Sequence, residues 1–359
     1  MIKENTTTPI EINAAKINIP LLLFIAYCST LLLNNINEFN ANIMGLRNLL
    51  QYSFVYFLVI NIIKTKDSIK KYFFLLLTMG MLIALTNTVH FLSRPGVING
   101  ILRGQYYSWT KFLAYGFMGQ NNYPFYLDAL ICISVGLFLF VDSKKIKLLL
   151  LCNICILVVS VLLGYSRGAL LALIIAVLFW SMKYNKKVLI FLLLLCLAGV
   201  FCIPSTMHDR FLTSESFKEA IMTRFDLLSG SFKEVIKNPL FGIGLGKVGS
   251  VGQDTLLPHN YLMYLLLQTG VLGLSIYLWM LAIFFKTSLK LYEKLDRGFF
   301  KGLAAGMVMY YVMFAISFLA SASGESFLSA FLFWFLGGVV MILDNDIRYS
   351  KTQEHLYVN

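Results

Sequence analysis

Ten apolar runs recur along this 359-residue chain: 17–34, 44–63, 72–92, 122–141, 147–164, 167–182, 188–204, 259–285, 299–320 and 327–343. Each is near the length that crosses about 30 Å of hydrocarbon. Inside a bilayer every backbone N–H and C=O must be satisfied within the protein, which leaves helices as the solution for segments of this kind. The pattern predicts an all-α polytopic integral membrane protein of about ten transmembrane helices, forming a single membrane domain over residues 1–359. Charged residues make up only 13% of the chain, against about 25% in a soluble domain. No stretch suits a separate soluble domain.

The formal charge of +12 could suggest a nucleic-acid partner, but its distribution argues otherwise. The lysines gather in short connectors: Lys64, Lys66, Lys70 and Lys71; Lys144, Lys145 and Lys147; Lys183, Lys186 and Lys187; and Lys286, Lys290, Lys294 and Arg297. Connectors 35–43 and 321–326 contain neither Lys nor Arg. By the positive-inside rule, both termini are cytoplasmic and no nucleic acid is expected. The loops 205–258 and 93–121 then fall on the outer side, the second with Arg94, Arg103 and Lys111 and no acidic residue. All six cysteines lie in apolar runs, so Cys152 and Cys155 read as small packing or lipid-facing residues rather than a redox pair. The first run follows a polar sixteen-residue stretch without an obvious small-residue cleavage site, and no cleaved signal peptide is expected.

A connector as long as 205–258 must do more than join two helices. Within 214–237, Phe217, Ile221, Phe225, Leu228, Phe232 and Ile236 recur every three or four residues, with Lys218, Glu219, Asp226, Lys233 and Glu234 between them. This predicts an amphipathic helix lying in the membrane interface, ended by Pro239 and the glycines after it.

Several polar residues stand out against this background. Arg167, in Gly164-Tyr-Ser-Arg-Gly-Ala-Leu170, sits at the outer junction of two spans. It either holds lipid headgroups or offers its planar donor fork to a phosphate. His259 follows Pro258 and opens the run 259–285. At a helix start the positive dipole end disfavours imidazolium, leaving a ring nitrogen able to accept a proton. A structural hydrogen-bonding histidine is the plain alternative. Gly242, Gly244 and Gly246 follow no strand of a βαβ unit, so they read as a turn that lets backbone approach a substrate or another helix. Asp128 and Glu325 are further candidates, each expected to cap or pair locally. No group of His, Cys, Asp and Glu has metal-ligand spacing, and no metal or other cofactor is expected.

Taken in order, these motifs resemble the O-antigen ligase and O-antigen polymerase family of membrane glycosyltransferases. The resemblance rests on Ser166-Arg-Gly-Ala169, Arg224 and Asn238-Pro-Leu-Phe-Gly-Ile-Gly-Leu-Gly246, then on Pro258-His-Asn-Tyr-Leu262 leading into Thr269-Gly-Val-Leu-Gly-Leu274. Gly119-Gln-Asn-Asn-Tyr123 is a weaker match, and together the motifs cover about 119–275. The resemblance implies a metal-independent transfer of glycan from undecaprenyl diphosphate to an acceptor hydroxyl, at the periplasmic face of a bacterial inner membrane. Arg167 and Arg224 would bind the diphosphate, with Arg210 the alternative to Arg224, and His259 would orient or deprotonate the acceptor. Asn260, Gly244 and Glu325 complete the substrate-binding set that this reading expects. The motif pairing favours a ligase acting on a lipid A-core acceptor in lipopolysaccharide synthesis, with a repeat-unit polymerase next. From another class, a flippase of the same lipid-linked glycan would need polar residues along a midplane path; here they gather at one face.

Overall fold

The structure is a computed structural model that describes residues 16–34, 39–93, 122–164, 166–184, 214–246, 260–321 and 326–358. Every regular element among them is helical: α1 (Asn18–Thr30, continued by a 3-10 turn Leu31–Asn34), α2 (Phe39–Leu50), α3 (Ser53–Ile62) and α4 (Lys66–Leu92). After these come α5 (Asn122–Phe140), α6 (Lys144–Leu163), α7 (Arg167–Tyr184) and α8 (Ser214–Lys237), then α9 (Tyr261–Lys294), α10 (Phe299–Ala320) and α11 (Phe327–Val358). Seven of these are long and apolar enough to cross a membrane; the α2–α3 pair, bent by 40°, makes an eighth if it counts as one span. The first run gives the shorter apolar helix Asn18–Leu33. The expected span 188–204 lies outside the described residues. The chain is thus an all-α polytopic membrane protein.

The core is an antiparallel pair, α5 and α10, buried over most of their length. Gly302 and Gly306 stand four residues apart on one face of α10, and Gly136 of α5 docks between them. A Cβ on Gly136 would come within 2.4 Å of the Gly302 carbonyl oxygen and the Gly306 nitrogen. In a membrane, where lipid tails are as apolar as leucine, such close backbone packing replaces the hydrophobic effect as the cement between helices. Around this pair, α7 presents buried Ala169, Ala172 and Ala176. Polar side chains also bridge helices: Asn153 Nδ2 donates to the Leu77 carbonyl at 3.2 Å, and the Tyr123 and Ser160 hydroxyls meet at 2.8 Å. On the lipid side Cys152 and Cys155 are exposed, whereas Cys28 and Cys132 are buried.

The lysine-rich connectors meet at one end of the bundle. Lys66 pairs with Asp346 at 3.0 Å, Arg297 with Asp142 at 3.1 Å, and Asp344 takes both Lys290 and Arg348. Lys183 lies over Tyr184 at 5.2 Å and Lys301 over Tyr292 at 5.1 Å. These contacts also explain two boundaries. α4 begins at Lys66, capped by Thr65, whose side chain accepts from the Ser68 amide. α11 runs past the apolar stretch 327–343 because Asp344 and Arg348 pair one turn apart on it.

Candidate active site

The polar motifs lie at the opposite end from these ion pairs. There α6 turns into α7 within three residues. A Cβ on Gly164 would meet Pro124 Cγ at 2.9 Å, so this turn rests directly on the first turn of α5. Ser166 then caps α7, its Oγ accepting from the Ala169 amide at 3.4 Å. Arg167 is the first residue of the helix and half-buried. The Ser-Arg-Gly-Ala motif therefore combines a cap, a cation at the helix start, and a small residue that lets α7 approach the core.

The largest departure from the expected pattern is in α9. The run 259–285 reads as one span, but the helix breaks at Gly270, whose φ is +64 and ψ −171. The rings of Tyr261 and Tyr277 lie 5.9 Å apart, whereas sixteen residues of continuous helix would separate them by about 24 Å. Residues 261–269 thus form a short first limb that leans back over the second limb, 271–294. Tyr261 also packs on Phe318 of α10 at 4.8 Å, and Tyr264, Leu265, Gln268 and Thr269 are buried. Asn260 caps this first limb, its Oδ1 accepting from the Met263 amide at 3.0 Å.

The glycine turn that follows α8 clasps the break. The Ile243 amide donates to the Leu267 carbonyl at 2.7 Å, and the Val271 amide donates to the Pro239 carbonyl at 2.9 Å. A Cβ on Gly242 would lie 2.3 Å from the Leu267 oxygen, and one on Gly270 would lie 2.1 Å from the Leu240 oxygen. Gly246 meets α2 in the same way, 2.0 Å from the Ala41 oxygen. Positive φ at Gly242, Gly244, Gly246 and Gly270 makes this path open to glycine and strained for other residues. Of the two uses that the glycines allowed, the structure displays the approach to another helix. Gly244 itself is buried within this turn.

α8 spans the residues expected for the amphipathic helix, and two of its faces differ. Met222, Phe225, Phe232 and Ile236 are exposed along one stripe, while Ser231 and Val235 are buried against the bundle. Arg224 lies seven residues, two turns, before Ser231 and hence on the same side of the helix. It is nevertheless exposed, as are Met222, Thr223, Phe225 and Asp226 around it. α8 packs on α9, and α7 and α9 both pack on α10.

His259, Arg210 and Glu325 lie outside the described residues, as do Arg94, Arg103, Lys111 and residues 119–121 of the weaker motif. Asp128 does not pair locally as expected. It is fully buried on α5, six residues into the helix and past the reach of a cap, and neither carboxyl oxygen has a partner among the described residues. Sequence reasoning missed the break in α9, although Gly270 in a helical run was the available signal. It also missed Tyr27, which contacts that break and sits in an otherwise generic apolar span.

Residues 148–278 match the family described as O-antigen ligase. The matched stretch contains α6, α7, α8, the glycine clasp and the break in α9. The match supports a relationship of that stretch to the O-antigen ligase/polymerase family, in line with the motifs that carry the resemblance. Comparison with curated proteins finds no match.

Proposed function

We propose that the protein transfers a glycan from undecaprenyl diphosphate to an acceptor hydroxyl, acting on the outer face of a bacterial inner membrane without a metal ion. The observation that supports this reading is the placing of the Arg167 helix start and of the first limb of α9 capped by Asn260 at the same end of the bundle, away from the basic connectors, where α8 packs on α9. In the reaction the acceptor oxygen attacks the anomeric carbon as the bond to the diphosphate oxygen breaks. The acceptor proton passes to His259, and the leaving group keeps the electron pair. Arg167 and Arg224, with Arg210 as the alternative to the second, neutralise the charge that grows on the diphosphate. Cations aimed at developing charge in a site shielded from water lower the barrier most. Asn260 and Glu325 serve the acceptor side, and Gly244 shapes it from within the buried turn.

The acceptor that fits this reading is the lipid A-core, making the protein an O-antigen ligase. Repeat-unit polymerisation uses the same donor chemistry and differs only in the acceptor. The test mixes the purified protein with undecaprenyl-diphosphate glycan and either lipid A-core or a second lipid-linked glycan, with and without chelator. Product on lipid A-core in the presence of chelator is the expected result. Product only on the lipid-linked glycan reassigns the protein as a polymerase, and a divalent-ion requirement removes the metal-free mechanism. Sidedness has its own check: with the native cysteines removed, a membrane-impermeant thiol reagent labels Lys233→Cys in intact cells and spares Lys294→Cys.

A further inference from the structure

We propose that Tyr27, on the first helix and outside the stretch that matches the family, is a positioning residue for this reaction. It ties α1 to the break in α9 and thereby sets the orientation of the first limb with Asn260 at its tip. The inference rests on the functional reading for its chemistry and on geometry alone for the tether.

The Tyr27 hydroxyl donates to the Thr269 carbonyl at 2.6 Å, the last carbonyl before Gly270. The Leu240 carbonyl, from the clasping turn, lies 3.3 Å from the same oxygen. One phenol therefore sits where α1, the glycine turn and the break converge. Its ring edge also fills the space over Gly273, where a Cβ would come 3.0 Å from Tyr27 Cε1. One turn earlier, Phe24 meets Tyr277 edge-on at 5.9 Å, and Tyr277 in turn meets Tyr261. α1 thus braces the second limb through Phe24 and the apex through Tyr27. The two backbone bonds of the clasp hold the apex to the turn, but both act within residues 239–271. Tyr27 alone ties that joint to α1 by a described hydrogen bond. Loss of its hydroxyl leaves the clasp in place and lets the first limb pivot. A displacement of about 1 Å at a residue remote from the chemistry can cost up to about a hundredfold in rate.

The control is Tyr56, a fully buried phenol whose hydroxyl donates to Asn18 Oδ1 at 3.0 Å. It also ties α1 to a neighbour, α3, but away from the break. The experiment compares full-length wild type, Tyr27→Phe and Tyr56→Phe in lipid nanodiscs. It reads hydrogen exchange of amides 261–270, and transfer kinetics with undecaprenyl-diphosphate glycan as donor. Tyr27→Phe is expected to speed exchange in that segment and to lower kcat by about tenfold or more, with the donor KM within about twofold. Tyr56→Phe is expected to do neither. Unchanged exchange in Tyr27→Phe, the same pattern in both variants, or a loosened limb with unaltered kcat would each overturn the proposal. A wild type that transfers no glycan sinks the functional reading instead, and exchange then decides the tether by itself.

Discussion

Glycine does opposite work at the two ends of this molecule. Between α5 and α10, Gly136, Gly302 and Gly306 lie inside regular helices and simply vacate space, so that two backbones touch over a long antiparallel contact. At the end away from the ion pairs, Gly242, Gly244, Gly246 and Gly270 take positive φ and make the chain turn. The first region is a post, regular and buried. The second is a joint made of a broken helix, a tight turn, the short helices α1 and α2, and backbone-to-backbone bonds. Of the candidate site residues, Asn260 caps the first limb of the joint and Gly244 lies in its turn, while the post carries the long buried helices. The contrast shows how a bundle made mostly of apolar residues can still place a polar side chain such as Asn260: regular helices supply the frame, and the broken helix supplies the change of direction.

The sharpest way to break this division is at the chemistry itself. His259→Ala is expected to keep donor binding and lose about 10²–10⁴-fold in transfer, the usual worth of a general base. Near wild-type turnover in the variant would leave His259 without that role. Next comes a glycine pair that separates joint from post. Gly270→Ala places a methyl 2.1 Å from the Leu240 oxygen at a φ of +64. It should lower transfer by about a hundredfold through misplacement while the bundle melts near its normal temperature.

Gly136→Val should act the other way, since the atoms nearest to the new side chain are backbone of α10 and cannot swing aside. Overpacking there is expected to destabilise the whole bundle by about 1–3 kcal/mol, read as a lower melting temperature in detergent. Equal loss of melting temperature in both glycine variants would erase the distinction. Arg167→Lys keeps the charge but not the planar fork, and should raise the donor KM by about tenfold with its fold intact. An unchanged KM would mean that Arg167 acts as a point charge. The smallest effect belongs to the basic end: Arg297→Ala breaks an exposed pair with Asp142, costs less than about 1 kcal/mol in melting experiments, and leaves transfer unaltered.

By itself the sequence determined the class of fold, because hydrophobic length is a local property and the bilayer permits few solutions to it. It also located α8 to the residue, through the spacing of Phe225, Phe232 and Ile236, and of the motifs it singled out, those from Ser166 to Leu274 fall within the family match while Gly119-Gln-Asn-Asn-Tyr123 falls outside it. Tertiary structure decided what those motifs do for one another. A helical run containing Gly270 is compatible with a straight span; it breaks because Pro239, Leu240 and Ile243 occupy the place that a continuous helix would need. The same holds for Tyr27, whose partner lies 242 residues away in sequence, and for Arg224, whose side of α8 is set by where Ser231 and Val235 are buried. Periodicity reports which face of a helix is apolar, but contacts between distant segments are fixed by shape and by which backbone groups still need partners, and those appear only once the chain is packed.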